Sequence, residues 1–237
     1  MKTLTIGDIH GRDSWKSFTQ DLDSYDKIIF IGDYVDSFTV SNVLMLHNLV
    51  EIIELKKQNP DKVVLLLGNH DIQYIVPNQS CSGYRPEMQY DLQDLFRKNL
   101  DLFQMAYQYE NTLWTHAGVS EGWLKQLERL LANPTFKYSD IVAERNPETL
   151  ADKINLAWEL KLSVLYYVDT YSGGTNAWAG PLWVRPIILN NWPIKMNQVV
   201  GHTPQATIWT NPVEGNVTHY FIDCLEYGEE KPLVLEL

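Results

Sequence analysis

The stretch VVLLLGNHD, residues 63–71, contains the pattern around which the rest of the sequence is organised. Its five apolar residues run without a break and end at Gly68. Such a run, β-branched at its start and bounded by glycine, predicts a strand that is buried on both faces. An amide, an imidazole and a carboxylate follow directly, in Asn69, His70 and Asp71. Polar groups beside a core are costly unless a metal or a hydrogen-bond network satisfies them, so we expect a functional site here.

Four other predicted strands end in the same way. Their last residues lead into GDIHG (7–11), GDYVD (32–36), HAG (116–118) and GHTP (201–204). Ligands in α/β sheets collect at the carboxyl ends of the strands, so these five ends are expected to converge. The glycines before Asp8, Asp33, Asn69 and His202 are expected to let the backbone turn sharply.

The residues at these ends have the chemistry of metal ligands. They are oxygen and imidazole donors, without a thiolate, in Asp8, His10, Asp33, Asn69, His116 and His202. Such donors suit divalent Mn, Fe, Zn or Mg. Six ligands exceed the need of one tetrahedral ion and fit two ions that share a bridging carboxylate. Two ions roughly 3.5–4 Å apart can hold the attacking and leaving oxygens of a displacement at phosphorus.

Composition restricts the class of protein. The 237 residues predict one domain, 1–237, and a net charge of −11 disfavours a nucleic-acid partner. Cys81 and Cys224 are far apart and predict two thiols in a reducing compartment, although a disulfide stays open. The start MKTLTIGDIHG has no sustained apolar segment and no apolar run approaches ~20 residues, so neither a signal peptide nor a membrane partner is expected. The expected location is the cytoplasm.

Periodicity predicts the intervening elements. Helices are expected over residues 41–58, 87–103, 120–131 and 147–160, and an irregular loop over 72–86. The apolar stripe of the first of these helices is predicted from Val43, Leu44, Leu46, Val50, Ile53 and Leu55. The tail, with TIW, NVTHYFID and KPLVLEL, predicts an antiparallel meander that turns at residues 214–216.

The ordered set DxH, GDxxD, GNHD, HxG and GHTP resembles the signature of the calcineurin-like metallophosphoesterases. The residues within these motifs are most similar to those of the phosphoprotein phosphatase branch and its bacterial relatives, including the diadenosine tetraphosphatase-like ones. The resemblance implies an α/β fold of two packed mixed sheets flanked by helices, and two divalent metal ions. It implies that Asp8, His10 and His202 hold one ion, that Asn69 and His116 hold the other, and that Asp33 bridges them together with a water or hydroxide, which is the nucleophile. It also implies that His70 protonates the leaving oxygen while Asp36 orients its imidazole.

The chain departs from the family pattern at one position. The phosphoprotein phosphatases continue GDYVD with Arg-Gly, where the arginine holds the phosphate, whereas Ser37 and Phe38 stand here. A hydroxyl does not replace a bidentate guanidinium. The candidates for that role are Arg185, in a tryptophan-containing segment like one that borders the site in relatives, then Arg12, then Arg85.

The sequence therefore predicts a dinuclear-metal phosphoester hydrolase, as a phosphomonoesterase of the Ser/Thr protein phosphatase type. Its partner would be a phosphorylated substrate, either a phosphoprotein or a nucleotide or small phosphoester. The missing arginine leaves open a dinucleoside polyphosphate hydrolase. A nuclease and a non-catalytic scaffold are further alternatives, the first opposed by the acidic balance and the second by the complete set of ligands and acid.

Overall fold

The computed structural model describes residues 1–168 and 171–237. The chain divides into two compact units, each of which contains one sheet. Unit 1 comprises residues 1–104, 204–209 and 222–237, and unit 2 comprises residues 105–203 and 210–221. The prediction of a single domain over residues 1–237 stays a prediction.

The strands and helices follow one another along the chain as in an α/β protein. The strands are β1 Lys2–Ile6, β2 Lys27–Phe30, β3 Val63–Leu66, β4 Phe103–Gln104, β5 Ala106–Tyr109, β6 Thr112–Thr115, β7 Asn197–Val200, β8 Trp209–Val213, β9 Val217–Phe221 and β10 Leu233–Glu236. The helices are α1 Trp15–Phe18, α2 Asn42–Gln58, α3 Asn69–Ile75, α4 Gln89–Lys98, α5 Glu121–Leu131, α6 Ser139–Arg145, α7 Leu150–Glu159 and α8 Pro186–Asn191.

The sheet of unit 1 has the order β10-β1-β2-β3-β4. Strands β1 to β4 are parallel, and β10 pairs antiparallel with β1 at the edge. Every residue of β3 is buried, which confirms the prediction from its unbroken apolar sequence. Strands β1, β2 and β3 are parallel neighbours. The three segments that follow them therefore all begin at the same side of the sheet, at the carboxyl ends of the strands.

The sheet of unit 2 has the order β5-β6-β7-β9-β8. Strand β6 runs parallel to β7, and β7 runs parallel to β9, while β5 pairs antiparallel with β6. HAG follows β6 and GHTP follows β7. Because these two strands are parallel neighbours, both motifs lie at the same carboxyl end of the sheet. Two mixed sheets with helices between their strands confirm the predicted α/β class.

The predicted stripe of α2 was wrong at three of its six residues, whereas Ile53 is buried as predicted. Val43 is 77% exposed and Leu44 and Val50 are also exposed, whereas the face toward the core holds Met45, Asn48, Leu49, Ile52 and Ile53. The reason is Asn48, which donates to the carbonyl of Gly11 at 2.9 Å and accepts from the indole of Trp15 at 3.3 Å. A polar residue satisfied in this way belongs to the buried face, which sequence patterning assigns to apolar residues alone.

Two other expectations need correction. The 72–86 loop is shorter than predicted, because α3 begins at Asn69 and continues to Ile75, and the segment 87–103 is one helical turn, α4, a further turn and β4. The tail is a meander only in part: β8 and β9 are neighbouring strands on either side of residues 214–216, as predicted, but β9 also lies parallel to β7, and β10 joins the sheet of unit 1. The alternation of apolar and polar residues along a strand predicts which of its faces is buried, but it does not predict which strand it pairs with.

Cys81 and Cys224 are both thiols, as predicted. No helix in the described part of the chain has the combination of length and apolar character that crossing a membrane needs.

The orientation of α2 can be tested by paired substitutions. We expect Leu49→Ala to lower the free energy of unfolding by about 2–5 kcal/mol, because Leu49 is fully buried and leaves a cavity. Val43→Ala, on the exposed side of the same helix, should change it by less than about 0.5 kcal/mol. Urea unfolding measures both values, and equal losses would contradict the orientation.

The second prediction concerns His219 in β9, which is buried beside Asn190 and Gln198. Burial lowers the pKa of His219 from 6.5 to about 4. Between these values the unfolded chain binds a proton that the folded chain does not, so its contribution to stability is present above pH 6.5 and is lost as the pH falls. We expect a loss of about 2 kcal/mol between pH 7.5 and pH 5 from this group.

The control is His219→Gln, which cannot gain a charge. Urea unfolding at pH 7.5 and pH 5 should show a smaller loss in the variant than in the wild type. The same loss in both proteins would exclude His219 as the source.

Candidate metal centre and acid–base pair

In unit 1 the three motifs meet through backbone hydrogen bonds. The N–H groups of Ile9 and His10 both donate to the carbonyl of Asp33, at 3.0 and 2.8 Å, and Gly11 donates to Tyr34 at 2.9 Å. The GDIHG segment is therefore fixed against the GDYVD segment. The predicted ligands that the two segments and α3 contribute are all buried: Asp8, His10, Asp33 and Asn69.

A residue to which the sequence assigned no role connects the GNHD motif to GDYVD. The carboxylate of Asp71 accepts from the backbone N–H of Asp33 at 2.8 Å, of Tyr34 at 2.9 Å and of Gly68 at 2.9 Å. The side chain of Asp33 is in turn bound to α3, because its Oδ1 accepts a hydrogen bond from the N–H of His70 at 2.9 Å. Asp71 thus holds the ends of β2 and β3 together and positions Asp33. Its signal was its place at the third position of α3, where a carboxylate often accepts from the capping residue.

Several site residues have a left-handed backbone. The φ angles are 44° at His10, 51° at Asp33, 63° at Asp36 and 66° at His202. This region is disfavoured for residues with a Cβ and is found at functional sites where surrounding bonds impose it. The sequence predicted sharp turns at the glycines at the strand ends. Gly32 does have a positive φ angle, of 106°.

Gly68 serves a different purpose. A Cβ built on it would lie 2.1 Å from the Oδ1 of Asp33, so the strand end and that carboxylate approach too closely for any side chain. The glycine is required by space and not by its φ angle.

His10 and Asp33 fit a divalent cation. The Nδ1 of His10 is 2.9 Å from the carbonyl of Val35, which directs Nε2 toward Asp33, 3.9 Å from its Oδ2. Two ligands about 2.1 Å from one ion lie roughly 3–4.2 Å apart, and ligating histidines commonly donate their other nitrogen to a carbonyl. Burial lowers the pKa of His10 although Asp33 opposes this, so its imidazole is neutral, as a ligand must be.

His70 and Asp36 form an acid–base pair in the same unit. The Nδ1 of His70 lies 3.0 Å from the Oδ2 of Asp36, which is fully buried. Burial disfavours the imidazolium, but the charge of Asp33 and the hydrogen bond to Asp36 outweigh it and raise the pKa of His70 to about 12. A bound cation that compensates the charge of Asp33 would lower the pKa of His70.

Two neighbouring histidines therefore have opposite charge states. The rings of His10 and His70 lie 5.0 Å apart in an edge-to-face arrangement. Environments that separate the pKa values of neighbouring groups indicate distinct roles. Here a neutral imidazole suited to binding a cation lies beside a charged imidazole suited to donating a proton.

Asp36 has further partners that the sequence did not indicate. The hydroxyl of Tyr74 donates to its Oδ1 at 2.5 Å, and the amide of Gln73 donates to its Oδ2. Both come from the last turns of α3, inside the segment that was predicted as a loop. Burial, together with the hydrogen bond to Asp36, raises the pKa of Tyr74, so its hydroxyl keeps the proton that it donates.

In unit 2, His116 and His202 lie side by side. Each follows a strand of the same parallel pair, and their ring centroids are 5.1 Å apart. The N–H of Gly201 donates to the carbonyl of His116 at 2.8 Å. Both side chains are buried. The sequence thus predicted correctly that these two motifs come together.

The segment that follows HAG is held by a side chain that no motif contains. Gln198 in β7 accepts from the N–H of Val119 at 2.7 Å and donates to the carbonyl of Val119 at 3.0 Å. The segment after HAG is therefore bound to the strand that leads into GHTP. A buried glutamine that binds both the N–H and the carbonyl of one residue has no sequence signature, because glutamine is usually exposed.

The three candidate arginines have different partners. Arg185 donates to the carbonyl of His202 at 3.3 Å, to the hydroxyl of Thr203 at 3.1 Å and to the carbonyl of Gly173 at 3.1 Å. Arg12 forms an ion pair with Glu226 at 2.7 Å.

Arg85 holds a loop in place. Its guanidinium donates to the carbonyls of Ser37 and Val40 and to the side chain of Asn42. Ser37, at the position of the expected arginine, also accepts from the N–H groups of Thr39 and Val40, at 3.2 and 3.0 Å. Arg85 and Ser37 thus organise the turn between GDYVD and α2.

Comparisons with known proteins identify the family of the chain. Residues 1–206 match the family model described as calcineurin-like phosphoesterase. Comparison with curated protein sequences gives no match. Among solved structures, the chain is similar to one described as a cold-active protein tyrosine phosphatase, with a TM-score of 0.55 and 18% identity over 99% of this chain and 73% of the other.

Two further structures are more distant. They are a protein serine/threonine phosphatase from Saccharomyces cerevisiae, with a TM-score of 0.47 and 14% identity over 99% of this chain and 79% of the other, and a metallophosphoesterase from Sphaerobacter thermophilus, with a TM-score of 0.39 and 15% identity over 93% and 75%. The family match covers most of the sequence and includes all five motifs. The chain therefore belongs to the calcineurin-like phosphoesterases, which are metal-dependent hydrolases.

Proposed function

We propose that this protein is a phosphomonoesterase of the Ser/Thr protein phosphatase type. The observation that carries the proposal is the His70–Asp36 pair, held beside His10 and Asp33 in unit 1. A protonated imidazole on a buried carboxylate is suited to protonating the oxygen that leaves when a phosphoester is cleaved.

For the metal ligands we propose the division that the family resemblance implies. Asp8, His10 and His202 would hold one ion, Asn69 and His116 the other, and Asp33 both. Support comes from within each unit: the neutral His10 faces Asp33, and His116 lies beside His202. The donor set suits Mn, Fe, Zn or Mg.

The reaction balances with these residues and one water. Bound divalent ions supply Lewis acidity, which lowers the pKa of water toward neutrality and so provides a nucleophile for phosphorus. The bond between phosphorus and the ester oxygen breaks as a water oxygen bonds to phosphorus. His70 transfers its proton to the departing oxygen, and Asp36 stabilises the charge and orientation of the ring. The proton that the attacking water loses passes to solvent, and His70 takes one back from solvent, so no net proton is consumed. The products are an alcohol and inorganic phosphate.

For the substrate, we propose that Arg185 contacts the phosphate. Its guanidinium already lies at the main chain of His202, and a planar guanidinium matches phosphate geometry. Arg12, by contrast, is compensated by Glu226. Arg85, like Arg185, donates to main-chain carbonyls, but its partners belong to the turn between GDYVD and α2 and not to a proposed metal ligand. The thiols Cys81 and Cys224 fit the reducing cytoplasm, which we propose as its location.

The function is tested by activity with and without metal. Protein loaded with manganese should release phosphate from p-nitrophenyl phosphate and from phosphoserine and phosphothreonine peptides, and chelation should abolish the release. His70→Asn should lower kcat on the phosphopeptides by about 10²- to 10⁴-fold, because their alkoxide leaving oxygen loses its proton donor. Metal content, measured by elemental analysis, should stay unchanged in the variant. Absence of release over the whole panel would overturn the proposal, and preference for diadenosine tetraphosphate over the peptides would favour the nucleotide substrate.

The role of Arg185 has its own test. Arg185→Lys should raise KM so that kcat/KM falls about 10- to 100-fold, since a bidentate charged hydrogen bond to phosphate is replaced by a single ammonium. The matched variant Arg12→Gln breaks the ion pair with Glu226 and should leave KM within about threefold. Steady-state kinetics on p-nitrophenyl phosphate measure both. A larger effect on KM from Arg12→Gln would assign the phosphate contact to Arg12.

A further inference from the structure

The side chains behind the acid–base pair connect it to a covering loop. Asp36 is fully buried, and its two oxygens accept from three donors: His70, Gln73 and Tyr74. Unlike His70, the latter two belong to no family motif in the sequence. Both are buried, on the turns of α3 that follow the GNHD segment.

Each of the two donors is also bound to the loop of residues 76–85. The carbonyl oxygen of the Gln73 amide accepts from the N–H of Cys81 at 3.1 Å. The hydroxyl of Tyr74 accepts from the N–H of Arg85 at 3.0 Å while it donates to Asp36. The loop is therefore hydrogen-bonded, through one side chain near its middle and one at its end, to the carboxylate that orients His70.

The loop also lies directly over the acid–base pair. A Cβ built on Gly83 would lie 3.3 Å from the Cβ of Asp36 and 3.9 Å from the Cε1 of His70. The φ of Gly83 is 78°, so a substitution there is strained as well as close. The Arg85 guanidinium fixes the end of the loop to the carbonyls of Ser37 and Val40.

We propose that Tyr74 and Gln73 are positioning residues for general-acid catalysis, holding the Asp36 carboxylate at the angle at which His70 faces the departing oxygen. Two oxygens fixed by three directional bonds leave the carboxylate one orientation, and His70 takes its own from it. Loss of the Tyr74 hydroxyl leaves Asp36 Oδ1 without this donor and lets the carboxylate rotate. The inference rests on the proposed function, because it assumes that His70 donates the proton.

The leaving group distinguishes positioning from a merely structural role. Proton donation matters for phenyl phosphate, whose phenolate is a poor leaving group, and matters little for 2,4-dinitrophenyl phosphate, whose phenolate leaves without a proton. We expect Tyr74→Phe in the manganese-loaded protein to lower kcat about 10-fold on phenyl phosphate and less than about threefold on 2,4-dinitrophenyl phosphate, with KM little changed. Gln73→Leu should show the same pattern, which keeps the test valid if one variant folds poorly.

Tyr84→Phe is the matched control. Its ring stacks on that of Tyr74 with centroids 5.4 Å apart, but its hydroxyl donates to Gln89. The control should leave kcat on both substrates within about twofold. Equal losses on the two substrates in Tyr74→Phe, or no loss on phenyl phosphate, would overturn the positioning role.

His70→Asn, measured in the same series, separates this inference from the proposed function. A strong leaving-group dependence in His70→Asn but none in Tyr74→Phe or Gln73→Leu would refute only the positioning role. No dependence in His70→Asn would refute the acid role of His70 and, with it, the inference. Dependence in all three variants supports both.

Discussion

The carboxylate of Asp71 is the constraint on which the candidate site of unit 1 depends. It is buried, and its oxygens accept from three backbone N–H groups at the ends of β2 and β3. An uncompensated carboxylate in this position would be strongly unfavourable, so the two strand ends can adopt few arrangements other than the one that satisfies it. That arrangement brings the Oδ1 of Asp33 to the N–H of His70 and so joins a proposed ligand to the proposed acid.

The same bonds explain how the strained backbone persists. A left-handed aspartate or histidine costs of order 1–3 kcal/mol, and such conformations remain only where the surroundings over-determine them. Asp33 is held by Asp71 through its N–H and by Ile9 and His10 through its carbonyl. The backbone conformation of Asp33 is thus held by hydrogen bonds to both its N–H and its carbonyl.

The sequence predicted the parts of the fold that depend on a short continuous pattern. The strand ends of unit 1 followed from apolar runs that stop at glycine, and the neighbouring histidines of unit 2 followed from the motifs after β6 and β7. The face of α2 did not follow, because Asn48 is buried by bonds to Gly11 and Trp15 that no periodicity contains. The partner of β10 was missed for a related reason, since pairing between distant strands is chosen by tertiary packing and not by local alternation.

The candidate site shows the same division at the level of chemistry. Residues that we propose to take part in the reaction, such as His70, lie in motifs because the reaction would fix their type and spacing. Residues that hold a neighbouring segment in place, such as Gln198, need only a donor or acceptor at the right place, and many sequences can supply one. His10 and His70 show why these second residues matter, since two imidazoles 5.0 Å apart differ in charge only through the groups around them. A motif therefore identifies which atoms take part, whereas the surrounding hydrogen bonds decide in which protonation state and orientation they do so.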